Sequence, residues 1–124
     1  MKLDIAQIRG ILNRLNMELF DGQLVLNFPI KFTKSKKMAA CTAFSRSLKV
    51  AYIGISTQFE WNEKELFDSL AHELVHVYEC QVAMTMPSHL GAFAEQMERI
   101  NRDFNHVEIA VKTNMPLKRR SMVG

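Results

Sequence analysis

Residues 62–82 read NEKELFDSLAHELVHVYECQV, and their periodicity sets how the neighbouring segments must be arranged. Asn62 is followed three residues later by Glu65, the pattern of a helix N-cap with its reciprocal partner. At ~100° per residue, Leu66, Phe67, Leu70, Leu74, Val77 and Tyr78 fall on one apolar face. His72 and His76 fall on the other side of the wheel. Histidines buried as satisfied core residues would lie on the apolar side instead. The helix is expected to run to about Val82, with Trp61 stapling its start to the core.

Beyond it, Pro87 and Ser88 mark the next start. Leu90, Phe93, Met97, Ile100 and Phe104 repeat at helical spacing and predict a third helix. Ahead of it, residues 24–56 alternate β-branched and aromatic residues with small or polar ones. Three short, mostly antiparallel strands are expected at 30–32, 39–44 and 48–55. Ser35-Lys36-Lys37 and Ser45-Arg46-Ser47 are the turns. Residues 4–20 form an amphipathic helix on Ile5, Ile8, Leu12, Leu15 and Leu19, N-capped by Asp4 and stopped by Asp21-Gly22. Residues 107–111 alternate weakly and read as a last short strand. The class is α+β, with one domain over 1–112 and a basic, mobile tail over 113–124 that includes Lys118, Arg119 and Arg120.

The 124 residues suffice for one core, and 48% hydrophobic with 23% charged residues is ordinary for a soluble globular protein. Two cysteines, Cys41 and Cys80, make at most one disulfide, and without a CxxC pair a zinc ribbon or finger is excluded. Cys41 is expected to pack as a small apolar residue. No signal-peptide run opens the chain, and no stretch approaches the ~20 apolar residues of a membrane span. A monomer in a reducing cytoplasm is the expectation. A net charge of +3 permits a nucleic-acid partner without demanding one.

Histidines at i and i+4 lie one above the other on a helix, so His72 and His76 can share one metal ion. Glu73, directly after the first histidine, sits where it can take a proton from activated water, the HExxH logic. Roughly one random chain of this composition in a hundred carries that pattern, so a third ligand has to be found. Cys80 lies ~12 Å along the axis from His72 and cannot close on the same ion. Glu79 and Val82 stand where a metzincin needs glycine and histidine. Glu95 has the spacing of a glutamate ligand but lies nearly opposite the apolar stripe of its helix, facing solvent. His89 flanks that stripe after a short loop that lets it fold back, and the wheel favours it. His106 lies beyond the third helix and reads as a surface residue.

The combination resembles the SprT-like (Spartan-type) family. There, HExxH is followed after a short loop by a third histidine with a phenylalanine four residues on, here His89 and Phe93. Residues 16–24, NMELFDGQL, are similar to the family as well, as are Tyr78 and Arg99-Ile100-Asn101. The resemblance covers about residues 5–104. It implies a minimal zincin-like fold and a zinc-dependent endopeptidase, with His72, His76 and His89 as ligands and Glu73 as general base. The alternative is a DNA- or protein-binding module with a structural zinc. Relatives act on DNA-bound proteins, so Lys34, Lys36, Lys37 and Arg46, with Lys31 and Lys49 nearby, are candidates for a phosphate-binding rim. The competing account is a solvated edge that discourages strand pairing. One departure is Leu90, where the family usually has the glycine that here comes one place later, at Gly91. The chain resembles the family's compact forms, such as those of bacteriophages, which would act in the host cytoplasm.

Overall fold

In a computed structural model, which describes residues 1–112 and 115–118, the N-terminal apolar spacing becomes helix α1, Ile5–Phe20. Asp4 caps it from an extended conformation, its Oδ1 accepting the Gln7 amide at 3.1 Å. Ile8, Leu12, Leu15 and Leu19 are buried. The helix ends where Asp21 turns left-handed at φ 52°. Buried Asn16 then fastens the returning chain: Leu24 N donates to its Oδ1 (3.1 Å) and its Nδ2 donates to Leu24 O (2.9 Å). Arg9 carries the tether onward, donating to Leu26 O and Phe28 O, each at 2.9 Å.

Three strands follow, β1 (Ile30–Thr33), β2 (Ala40–Phe44) and β3 (Val50–Ser56), in spatial order β1-β3-β2. Their number and positions are those expected. The sheet is mixed: β2 pairs antiparallel to β3 through the turn at 45–49, whereas β1 runs parallel to β3, with Ile30 beside Ile53 and Phe32 beside Ile55. The loop from 34 to 39 carries the chain past the central position, which β3 fills with Ile53 and Ile55, both fully buried. Gly54 permits the close approach of both neighbours there. A Cβ at that position would meet Cys41 Sγ at 2.8 Å and Thr33 Cγ2 at 3.0 Å.

Helix α2, Glu63–Gln81, begins as the capping pattern predicts, with Glu65 N donating to Asn62 Oδ1 at 2.8 Å. Trp61 is buried just ahead of it and donates from Nε1 to Ser56 O at 2.7 Å, joining the helix start to the end of β3. Leu66, Leu70, Leu74 and Val77 enter one core with α1, the sheet, Phe93 and Ile100. Tyr78 stacks on Phe20 at 5.7 Å between ring centres.

Helix α3 spans Ala92–Asp103 and starts later than Pro87 suggests. Phe93 and Ile100 are buried and Met97 and Phe104 pack at the margin, but Leu90 is 77% exposed and does not belong to the stripe. It precedes Gly91, whose φ of 57° and ψ of −122° break the helical path. Arg99 ties α3 to α1, donating to Leu19 O at 2.7 Å with its guanidinium over the Phe20 ring.

Residues 107–111 are not a strand. Val107 and Ile109 are buried, and side chains replace ladder bonds. Asn101 Nδ2 donates to Ile109 O (2.9 Å), Ile109 N donates to Asn101 Oδ1 (2.7 Å), and Glu108 N donates to Asp68 Oδ1 (3.1 Å). Part of the expected mobile tail is also seated. Met115 is buried, Glu60 N donates to Pro116 O, and Lys118 N donates to Gln58 O, each at 2.8 Å. Arg119 and Arg120 lie outside the described residues. Among the described residues no helix is long and apolar enough to cross a membrane.

Asn16→Ala leaves both Leu24 backbone groups without their partner. Losing two buried hydrogen bonds costs about 2–4 kcal/mol. Urea denaturation of the zinc-free protein should show that loss with an unchanged slope, and a change within about 0.5 kcal/mol would count against the tether.

Candidate active site

The helical spacing of His72 and His76 sets their rings side by side, centroids 5.0 Å apart. The loop between α2 and α3 brings His89 to 5.2 Å from His72 and 5.1 Å from His76. Phe93, four residues past His89 and fully buried, contacts all three rings, with centroids 4.7–5.0 Å away. It forms an apolar floor that fixes their depth. His89 Nε2 lies 3.3 Å from His72 Nε2, and one ring nitrogen from each of the three lies within 4.8 Å of the others. Nitrogens ~2.0–2.1 Å from a tetrahedral zinc sit roughly 3.3 Å apart, a spacing the His72–His89 pair matches. The cluster could hold a metal ion with three imidazoles.

Each helix-borne histidine is oriented from behind. His72 Nδ1 lies 2.7 Å from Ala110 O. A carbonyl only accepts, so Nδ1 carries the proton and Nε2 presents its lone pair. His76 Nδ1 lies 2.6 Å from Glu79 Oε1, and with Glu79 ionised the proton again sits on Nδ1. Burial, then the neighbouring imidazoles, push His76 down to about 3. Burial likewise lowers His72, against the Ala110 hydrogen bond. Both rings are therefore neutral at pH 7, as metal ligation requires.

Glu73 is 4% exposed. Thr42 Oγ1, from β2, donates to its Oε1 at 2.8 Å, while Oε2 stands 4.0 Å from His72 Nε2. Burial pushes the carboxyl up to about 7, with the Thr42 bond pulling the other way.

Above these groups opens a cleft of about 1110 Å³. Thr42 and Phe44 of β2 line one wall, Glu108, Ala110 and Val111 line the other, and His72, Glu73 and His76 lie along the α2 side. Because β3 occupies the centre of the sheet, the outer edge of β2 has no strand partner among the described residues.

The remaining candidates stay apart from the cluster. Glu95 is exposed on α3. Cys80 is buried on α2 as a free thiol. His106 is on the surface and pairs with Glu18 Oε2 at 2.8 Å. Cys41, partly buried on β2, is also a free thiol, its pKa raised by burial and by Glu73. The departure at Leu90 is accommodated by Gly91, which supplies the positive φ one residue later. The sequence reading gives Thr42, Glu79 and the Ala110 carbonyl no part in the site. Glu79 alone left a signal, three residues past His76 and hence on the same face.

A helix carrying paired histidines under the edge strand of a small sheet is the zincin-like arrangement, with a third histidine arriving from the following loop. The likeness is also specific in sequence, because the SprT-like family model matches residues 8–113, most of the chain. The chain belongs to the SprT-like family. No curated protein and no solved structure matches it.

The buried Glu73 carboxyl carries a stability signature. Its folded pKa of about 7 exceeds its ordinary 4.5, so the zinc-free protein loses stability as pH rises through that window. The upper limit is about 3 kcal/mol. Glu73→Gln keeps the Thr42 hydrogen bond and lacks this loss. Its melting temperature relative to wild type should rise by several degrees between pH 5 and pH 8. Titrations of groups remote from Glu73 are common to both proteins and cancel, so a flat difference would contradict the burial argument.

Proposed function

We propose that the protein is a zinc-dependent endopeptidase that hydrolyses peptide bonds of protein substrates. The observation carrying this reading is the juxtaposition of Glu73 Oε2 with the three-histidine cluster at an open cleft. His72, His76 and His89 would hold the ion. Zinc, when bound there, activates water and polarises the scissile carbonyl.

The protein's own residues supply the rest. Glu73 is general base: its carboxylate receives a proton from the attacking water and returns it to the departing amine. Thr42 holds Oε1, so the other oxygen is the one available for transfer. An extended substrate can pair with the free edge of β2, which places a peptide bond over the α2 histidines. A binding module with a structural metal has no use for a carboxylate at that position, where burial makes it costly.

We take the site of action to be the cytoplasm, where Cys41 and Cys80 persist as thiols, and the working unit to be a monomer. A nucleic-acid partner is the second element of the proposal. Lys34, Lys36 and Lys37 are exposed on the β1–β2 loop, whose turn is shaped by Ser35 Oγ accepting the Lys37 and Met38 amides. Lys37 lines the cleft, while Arg46 is exposed at the opposite end of β2. The cations thus bracket the edge strand, a spacing suited to a phosphate backbone passing beside the cleft.

Zinc-loaded protein should cleave an unfolded protein substrate. Glu73→Gln should reduce cleavage at least ~100-fold with zinc content unchanged. Equal cleavage by the variant would assign the activity elsewhere. No cleavage by wild type on denatured, native or DNA-bound substrates would favour the binding module.

For the basic rim, affinity for DNA should fall steeply with salt and vary little with sequence. Changing Lys34, Lys36 and Lys37 to Glu should abolish binding and any DNA-stimulated cleavage, with zinc content retained. Negligible affinity at about 0.15 M salt would leave a solvated edge and remove DNA from the picture.

A further inference from the structure

Glu79 is 1% exposed, although ionisable side chains are almost never fully buried unless paired. Both of its oxygens are occupied, and by donors from different parts of the site. Oε1 takes His76 Nδ1 at 2.6 Å, and Oε2 takes the Ser88 backbone amide at 2.9 Å. Its own carbonyl accepts the Thr85 amide at 2.9 Å. Residue 79 therefore grips the loop after α2 twice, and the second grip falls immediately before His89.

We propose that Glu79 is a positioning residue that sets two of the three metal ligands at once, His76 through its ring and His89 through the backbone of its loop. The inference rests on the proposed metal site at His72, His76 and His89. Two effects follow from the geometry. As a carboxylate, Glu79 keeps the His76 proton on Nδ1, so Nε2 is bare for the cluster, and such a partner strengthens the imidazole as a donor. The bond to Ser88 gives the irregular loop a fixed point beside His89, tying the residue before this ligand to the helix that carries the other two.

The chemistry singles out a carboxylate. Two N–H groups converge on the side chain, and only a carboxylate offers an acceptor to both. A glutamine of the same shape has one carbonyl oxygen. Its amide would face either the Ser88 N–H or the His76 Nδ1–H, donor against donor. If the amide turns to His76, it can donate to Nδ1 and moves the ring proton to Nε2, the nitrogen needed for the metal. The third ligand is held independently, since His72 is oriented by Ala110.

The test compares zinc affinity of wild type and Glu79→Gln by competition with a chromophoric chelator, alongside the tautomer of His76 by long-range proton–nitrogen NMR in zinc-free protein. Expected are an affinity loss of about 10–100-fold and a smaller Nδ1–H population in the variant. An affinity loss below about fivefold overturns the proposal. The wild-type spectrum decides even if the variant fails to fold: His76 must be the Nδ1–H tautomer at pH 7, and an Nε2–H tautomer overturns the assignment. A wild-type protein that binds no zinc removes the metal site itself, and this inference with it. Wild-type binding with equal binding by the variant removes only the role of Glu79.

Discussion

Helix α2 has ~100° of turn per residue to satisfy two demands. Residues two before and two after His72 lie ~200° away from it, which puts Leu70 and Leu74 on the far side and into the core. His76, four residues on, returns to within ~40° of His72. A one-residue insertion between the capping segment and His72 would rotate the histidines toward the core and the leucines into the cleft. The remaining elements are arranged around this single wheel. Helix α1 and Ile53 and Ile55 of β3 cover the apolar side, while β2 and the chain after α3 form the cleft above the other.

Glu73 and Glu79 stand on that same helix, both with almost no exposure, and both are raised to about 7 mainly by burial. Their surroundings separate their uses. Glu79 has both oxygens engaged by N–H donors. Glu73 has Oε1 engaged by Thr42. No side-chain polar atom among the described residues is buried without a partner, so Glu73 Oε2 opens on the cleft. In the function proposed above, one carboxylate serves geometry and the other keeps an oxygen for proton transfer. Two such groups are expensive in a protein whose stability is a small difference of large terms. The fully buried Ile8, Leu12, Leu15, Leu66, Leu70 and Leu74 offset that cost.

What could be read from the sequence follows how local each determinant is. The caps at Asp4 and Asn62 act within three residues, and both appear as expected. The strands at 30–33, 40–44 and 50–56 announce themselves by composition, but their pairing does not. The parallel β1–β3 register depends on which strand takes the centre, a choice made by the whole core. Residues 107–111 carry an apolar alternation that reads as a strand. They are instead fastened by Asn101 and Asp68, side chains whose reach no period reports. Leu90 matched the helical spacing of α3, yet Gly91 interrupts the backbone between it and Phe93. The convergence of His72, His76 and His89 was legible in part from the wheel and more from the resemblance. The groups behind those rings were not, because Ala110 O is a backbone atom 38 residues from His72.

That distance bears on how the site is assembled. His76 is oriented within its own helix, by Glu79. His89 arrives on the loop that Glu79 also holds. His72 depends on the chain after α3, and that chain is anchored at Asn101, at Asp68 and, further on, beside Phe59. The Ala110 bond is lost if the chain beyond α3 leaves the domain, so the His72 ring is oriented only once that chain is in place. An ion with that geometric requirement binds the native state and not the unfolded chain. Its binding free energy is then added to folding by mass action, about 2.7 kcal/mol at a hundredfold excess over Kd. The segment at 107–112 therefore does for stability and for the proposed chemistry one and the same thing: it holds His72 with its lone pair toward His76 and His89.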